Sequence, residues 1–159
     1  MKFSDVLSQV IDLAKKANAA RAKRASAIGG FPAVTSGVQV QGIQVQGQPR
    51  PVAVPSGPPV SGSLVLPPPT PEETALLRFL ESQSPKTVYM LTAVMYLGRG
   101  DFDAVGLLDN YALMRERFGD PRWAASQMAD KISLPRYLEE GCRKVAQANL
   151  DAMVETETA

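Results

Sequence analysis

Asp101, Asp103, Asp109, Glu139 and Glu140 are the side chains whose types and spacing come nearest to chemistry. Paired carboxylates can divide general-acid and general-base roles when they reach the same proton. Neighbouring helical residues, however, point about 100° apart. Glu139 and Glu140 therefore read as a solvated helix face. The nearest cation with no evident local task is Arg99, in Gly98-Arg99-Gly100-Asp101, which could grip Glu139 or Glu140 with both prongs of its guanidinium. Asp101, Asp103, Gly106 and Asp109 match positions one, three, six and nine of a helix–loop–helix calcium loop. Val105 then occupies an oxygen-ligand position, and Ala112 stands where a bidentate glutamate is needed, so no calcium site is read there. Cys142 is the only cysteine and the chain has no histidine, which removes imidazole catalysis, imidazole metal ligands and any internal disulfide. Cys142 reads as a small core residue, and no catalytic, cofactor or metal residue is assigned.

The elements that would position these residues follow from periodicity and punctuation. Phe3, Val6, Leu7, Val10, Ile11, Ala14 and Ala17 recur at three- and four-residue spacing, which predicts a helix from Ser4 to Ala27 with Ser4 as N-cap. Its second half, Ala19 to Ala27, is alanine with basic residues, and Gly29-Gly30 ends it. From Thr70 onward, helix starts and stops alternate. Thr70-Pro71-Glu72-Glu73 is a capping box with proline at the first helical position. Ser84-Pro85 opens a helix with Val88, Leu91, Val94 and Met95 inward, stopped by Gly98 in a left-handed cap. Asp101 is expected to cap the next helix, which would present Phe102, Val105, Leu108, Tyr111 and Ala112 and stop at Gly119. Asp120-Pro121 starts another with Trp123, Ala124 and Met128 inward. Ser133-Leu134-Pro135 starts the last, which frays near Asn149 to Val154. Gly141, costly inside a helix by about 1 kcal/mol, implies close backbone packing on another helix.

Between these helical parts lies a different composition. Residues 31–69 hold nine of the thirteen prolines and five of the twelve glycines, which excludes helix over most of the stretch. Val38-Gln39-Val40-Gln41-Gly42 nearly repeats as Ile43-Gln44-Val45-Gln46-Gly47, an apolar–polar alternation suited to an extended arm or short strand, and Pro51 to Pro69 reads as polyproline II. The domain reading is thus an N-terminal helix over 1–28, an arm over 29–69 and a helical domain over 70–159. The formal net charge of +1 conceals an asymmetry: residues 1–24 carry +4 and residues 69–159 carry −4, with Arg50 alone between them. The basic tract Lys15, Lys16, Arg21, Lys23 and Arg24 could meet phosphates or an acidic protein surface, but has no interleaved aromatics and no groove-reading motif. No apolar run is long enough to cross a membrane and no export signal is evident, so a cytoplasmic protein, or part of a particle assembled from the cytoplasm, is expected.

Tyr96-Leu97-Gly98-Arg99-Gly100-Asp101-Phe102 and Leu134-Pro135-Arg136-Tyr137-Leu138-Glu139-Glu140-Gly141 together resemble an uncharacterised bacterial family, domain of unknown function 3775. Its members tend to show a Leu-Gly-Arg-Gly-Asp and a Tyr-Leu-Glu-Glu-Gly stretch at similar separation, after a short amphipathic helix. The likeness runs from Leu76 to Val145 and loosely over Val6 to Ala17. It departs at Cys142, where the family usually has leucine, and at Gly119-Asp120-Pro121, where the family is more helical. Residues 25–68 match nothing in it. The resemblance implies a small helical fold and no activity.

The expected protein is all-α: about five short helices and an N-terminal amphipathic helix, with a long Pro/Gly/Val/Gln arm. The expected role is a non-catalytic interaction or structural subunit of a larger assembly of bacterial or phage type, without cofactor. The arm would lie on partner proteins and add a strand through Val38, Val40, Ile43 and Val45. Arg99 and the tract of Lys15, Lys16, Arg21, Lys23 and Arg24 are the other candidate partner contacts. Two alternatives stand beside it: a small enzyme or regulator using carboxylates near Arg99, and weak nucleic-acid binding through residues 15–24.

Overall fold

The computed structural model describes residues 2–27 and 68–159. Among them are seven α-helices and no strand: α1 (Phe3–Ala27), α2 (Pro71–Glu81), α3 (Pro85–Arg99), α4 (Leu107–Phe118), α5 (Pro121–Ala129), α6 (Leu134–Gln147) and α7 (Asp151–Thr158). A 3₁₀ turn, Ala104–Gly106, precedes α4. The described residues form the all-α bundle expected from the punctuation. The arm residues Val38, Val40, Ile43 and Val45, the Gly29-Gly30 stop and the Pro51–Pro67 stretch lie outside them.

The bundle is built around α3. Every residue from Thr87 to Met95 is buried, as is Leu97. The run Val-Tyr-Met-Leu-Thr-Ala-Val-Met is apolar on all sides, which suits a helix enclosed by others. α4, α5, α6 and α7 pack on it, while α1 spans α2, α6 and α7. The buried hydroxyls of this helix have partners: Thr92 Oγ1 donates to the Val88 carbonyl at 2.9 Å, and Thr87 Oγ1 lies 2.9 Å from Ser84 Oγ. α1 contributes Phe3, Val6, Leu7, Val10, Ala14 and Ala17 to the same core, the stripe its periodicity predicts except that Ile11 is only partly buried at its edge.

Capping follows the sequence closely in three places. The Thr70–Glu73 box is complete, with Thr70 N–H donating to Glu73 Oε2 at 2.6 Å and Glu73 N–H to Thr70 Oγ1 at 3.2 Å. Ser84 Oγ accepts from Thr87 N–H at 3.2 Å, and Asp120 Oδ1 from Arg122 N–H at 2.8 Å.

Elsewhere tertiary packing changes the expected reading. Gly98 does not stop α3; it lies inside the helix, and the left-handed residue is Gly100, at φ 97°. Gly100 N–H reaches the Leu97 carbonyl and Asp101 N–H the Tyr96 carbonyl, both at 3.1 Å, closing a Schellman motif. Asp101 does not cap α4, because the 3₁₀ turn intervenes and α4 begins only at Leu107. The inward face is then Leu107, Tyr111 and Met114, with Val105 96% exposed and Leu108 and Ala112 also outside. Trp123 is half-exposed rather than inward and lies against Phe118, ring centroids 5.0 Å apart. Ser4 is not an N-cap: α1 begins at Phe3, and the Phe3 and Ser4 N–H groups donate to the Glu155 carboxylate at 2.8 and 3.0 Å. Glu155 belongs to α7, which forms where fraying was expected. Asn149, at φ 55°, ends α6 in a second Schellman motif through Leu150 N–H to the Val145 carbonyl at 3.1 Å. α7 then folds back and buries Val154.

Candidate interaction surface at the α3–α6 crossing

The two sequence stretches that carry the family resemblance are the two sides of one helix crossing. A Cβ built on Gly98 would fall 1.7 Å from the Tyr137 carbonyl oxygen; one on Gly141 would fall 2.1 Å from the Val94 carbonyl oxygen. Both distances are impossible for real carbon atoms, so the backbones of α3 and α6 meet where only glycine fits. The close packing expected at Gly141 is found, and its partner helix is α3. Lys144 Nζ reinforces the crossing by donating to the Leu97 carbonyl at 2.9 Å, near the end of α3 where carbonyls run short of partners.

Above the crossing lies an open groove of about 600 Å³ lined by Gly98, Arg99, Arg136, Tyr137, Glu139, Glu140 and Arg143. Arg136, Glu139, Glu140 and Arg143 recur at helical spacing on one face of α6, a pattern legible in the sequence but passed over there. Arg99 does not reach Glu139 or Glu140. Its Nε and Nη2 donate to Asp101 at 2.7 and 2.9 Å, and its guanidinium lies 4.7 Å from the Tyr96 ring centre. Hydrogen bonding to the Asp101 carboxylate raises the Arg99 pKa further. Glu139 instead meets Lys15 of α1 at 2.6 Å, and Glu140 pairs with Arg143. The hydrogen bond from Arg143 holds the Glu140 carboxyl below its ordinary range. Of the candidate acid–base cluster, Asp101, Glu139 and Glu140 therefore each take a different cation, while Asp103 and Asp109 make no ion pair among the described residues. Arg136 has no ion-pair partner among the described residues.

The basic tract divides in two. Arg21 Nε donates to Glu73 Oε1 at 2.5 Å and Nη2 to the Ala129 carbonyl at 2.8 Å. Arg24 Nη1 donates to the Pro68 carbonyl at 2.6 Å and lies 3.5 Å from Glu73 Oε2. Burial opposes the charge on Glu73, but hydrogen bonds from Thr70 and Arg21 outweigh it and hold the carboxyl below its usual range. Arg21, Arg24 and Lys15 thus fasten α1 to α2, α5 and α6. Lys16 and Lys23 stay exposed, beside Glu72. Sequence reading missed Glu73 as the hub of this clamp and Glu155 as the cap of α1. Their partners are about fifty and a hundred and fifty residues away in the chain, respectively, so no local pattern signals them.

No protein-family model, curated protein or solved structure matches this chain. Among the described residues no helix is long and apolar enough to cross a membrane, and no cluster of three potential metal ligands occurs.

Proposed function

We propose that this protein is a non-catalytic interaction subunit in which a helical body displays residues 28–67 to partner proteins. One observation carries the reading: Arg24, one turn before the end of α1, hydrogen-bonds the Pro68 carbonyl, so the described residues on either side of 28–67 meet at one place. The composition of residues 28–67, rich in proline and alternating Val and Gln with Arg50 the sole charge, suits extended contact with another protein's surface. Affiliation with domain of unknown function 3775 remains part of this proposal, resting on the paired stretches that meet at the α3–α6 crossing.

The test is replacement of residues 30–66 by a short Gly/Ser linker, followed by co-purification from the native host. The expected result is a folded body that no longer retains partners captured by the full chain. Undiminished capture of every partner would overturn the proposal.

A further inference from the structure

Between α1, α3, α6 and α7 is a half-enclosed cavity of about 170 Å³, walled by Phe3, Leu7, Val94, Cys142, Val145 and Val154. Phe3, Leu7, Val94, Val145 and Val154 are each at most 6% exposed, so these walls belong to the core rather than to a surface dimple. Protein interiors carry few voids larger than a water molecule, because each void forfeits dispersion contacts along its lining. An apolar cavity of about 150 Å³ is known to stay dry and to accept benzene. The polar groups at the lip are Ser4, Asp151 and Glu155. Glu155 is committed to the N–H groups of α1. Asp151 leaves a carboxylate at the rim, which disfavours an anionic head group. Burial, with Asp151 adding to it, raises the Cys142 pKa, so its sulfur presents a neutral, polarisable wall.

We propose that this cavity is a binding site for a small uncharged apolar molecule of about the size of benzene or toluene. It is separate from the arm and stands independently of the proposed partner role. Occupancy would also brace α7, since Val154 supplies one wall and the adjacent Glu155 caps α1.

The experiment uses the full chain with toluene as probe and hexanoate as the anionic control. It reads thermal unfolding and the rate at which a thiol reagent labels Cys142. Toluene is expected to raise the melting temperature saturably and to slow labelling several-fold, whereas hexanoate does neither. Cys142→Leu and Val154→Leu, which fill the cavity from α6 and from α7, are expected to lose at least about tenfold in apparent toluene affinity. The two variants together keep the test decisive if either fails to fold. No saturable response in the wild type, or an equal response in a folded filling variant, overturns the proposal.

Discussion

Gly98 and Gly141 face one another across the α3–α6 crossing: each glycine is required by the backbone of the other helix. Replacing either with alanine puts a methyl group into a carbonyl oxygen, and backbone cannot rotate away as a side chain can. Overpacking of a core costs about 1–3 kcal/mol and occasionally more, so Gly141→Ala should fall at or beyond the upper end. Thermal unfolding would register a drop of about 5 °C or more, and an unchanged melting temperature would refute the crossing geometry. Gly100 is needed for a different reason, its positive φ in the Schellman cap. Arg99 spends both prongs on Asp101 over the Tyr96 ring, so it braces the turn that follows α3. Glu155 tests electrostatics. Hydrogen bonding by the Ser4 N–H, assisted by that of Phe3, lowers its pKa despite partial burial. A lowered carboxylate contributes stability above its unfolded pKa of about 4.3, and that contribution is lost as pH falls through the lower folded value. Glu155→Gln should therefore cost about 1 kcal/mol near pH 7, the usual worth of a cap, and progressively less on acidification. Melting curves of both proteins between pH 7 and 3 would show the difference closing; a constant gap would contradict the assignment.

The helices divide by how local their determinants are. α2, α3 and α5 begin where Thr70, Ser84 and Asp120 stand before proline, because the cap and the first turn lie within a few residues of one another. The start of α4 was misread for the opposite reason. Asp101 is a good cap by type, but its carboxylate goes to Arg99 two residues back and a 3₁₀ turn is inserted, shifting the inward face to Leu107, Tyr111 and Met114. α7 illustrates dependence on context most sharply. An eight-residue helix is marginal alone, and this one is held by Val154 in the core and by Glu155 on α1. Truncation after Leu150 should therefore loosen the N-terminal turns of α1 as well as lower overall stability. Amide exchange at Val6, Leu7 and Val10 would report it. Protection equal to the full chain's would show that α7 is dispensable to α1.

α1 joins the bundle core despite the long stretch that separates it from α2 in sequence. The Arg21–Glu73–Arg24 clamp and the Pro68 contact close that stretch at its base. Replacing residues 30–66 with a linker of about eight residues should leave the helical circular dichroism of the body intact and raise its stability by about 1 kcal/mol, since loop-closure entropy grows only logarithmically with length. Chemical denaturation measures the gain, and a body that unfolds on replacement would mean the segment contributes to the core. Glu73→Ala removes the hub of the clamp and the reciprocal half of the α2 capping box together, for an expected loss of about 1–2 kcal/mol.

The chain's own pattern determined the all-α class, the capping box of α2 and the N-caps of α3 and α5, the core stripe of α1 and the special nature of Gly141, because caps and apolar periodicity act within a turn or two. It also marked residues 31–69 as a compositional arm. The folded molecule decided which helix Gly141 meets, that Gly98 serves a crossing rather than a stop, which cation each carboxylate takes, and that the chain's last helix caps its first. Apart from the local Arg99–Asp101 and Glu140–Arg143 pairs, those outcomes depend on groups brought together across long chain separations, and neither side chain nor backbone carries a local signal of a partner that only packing supplies.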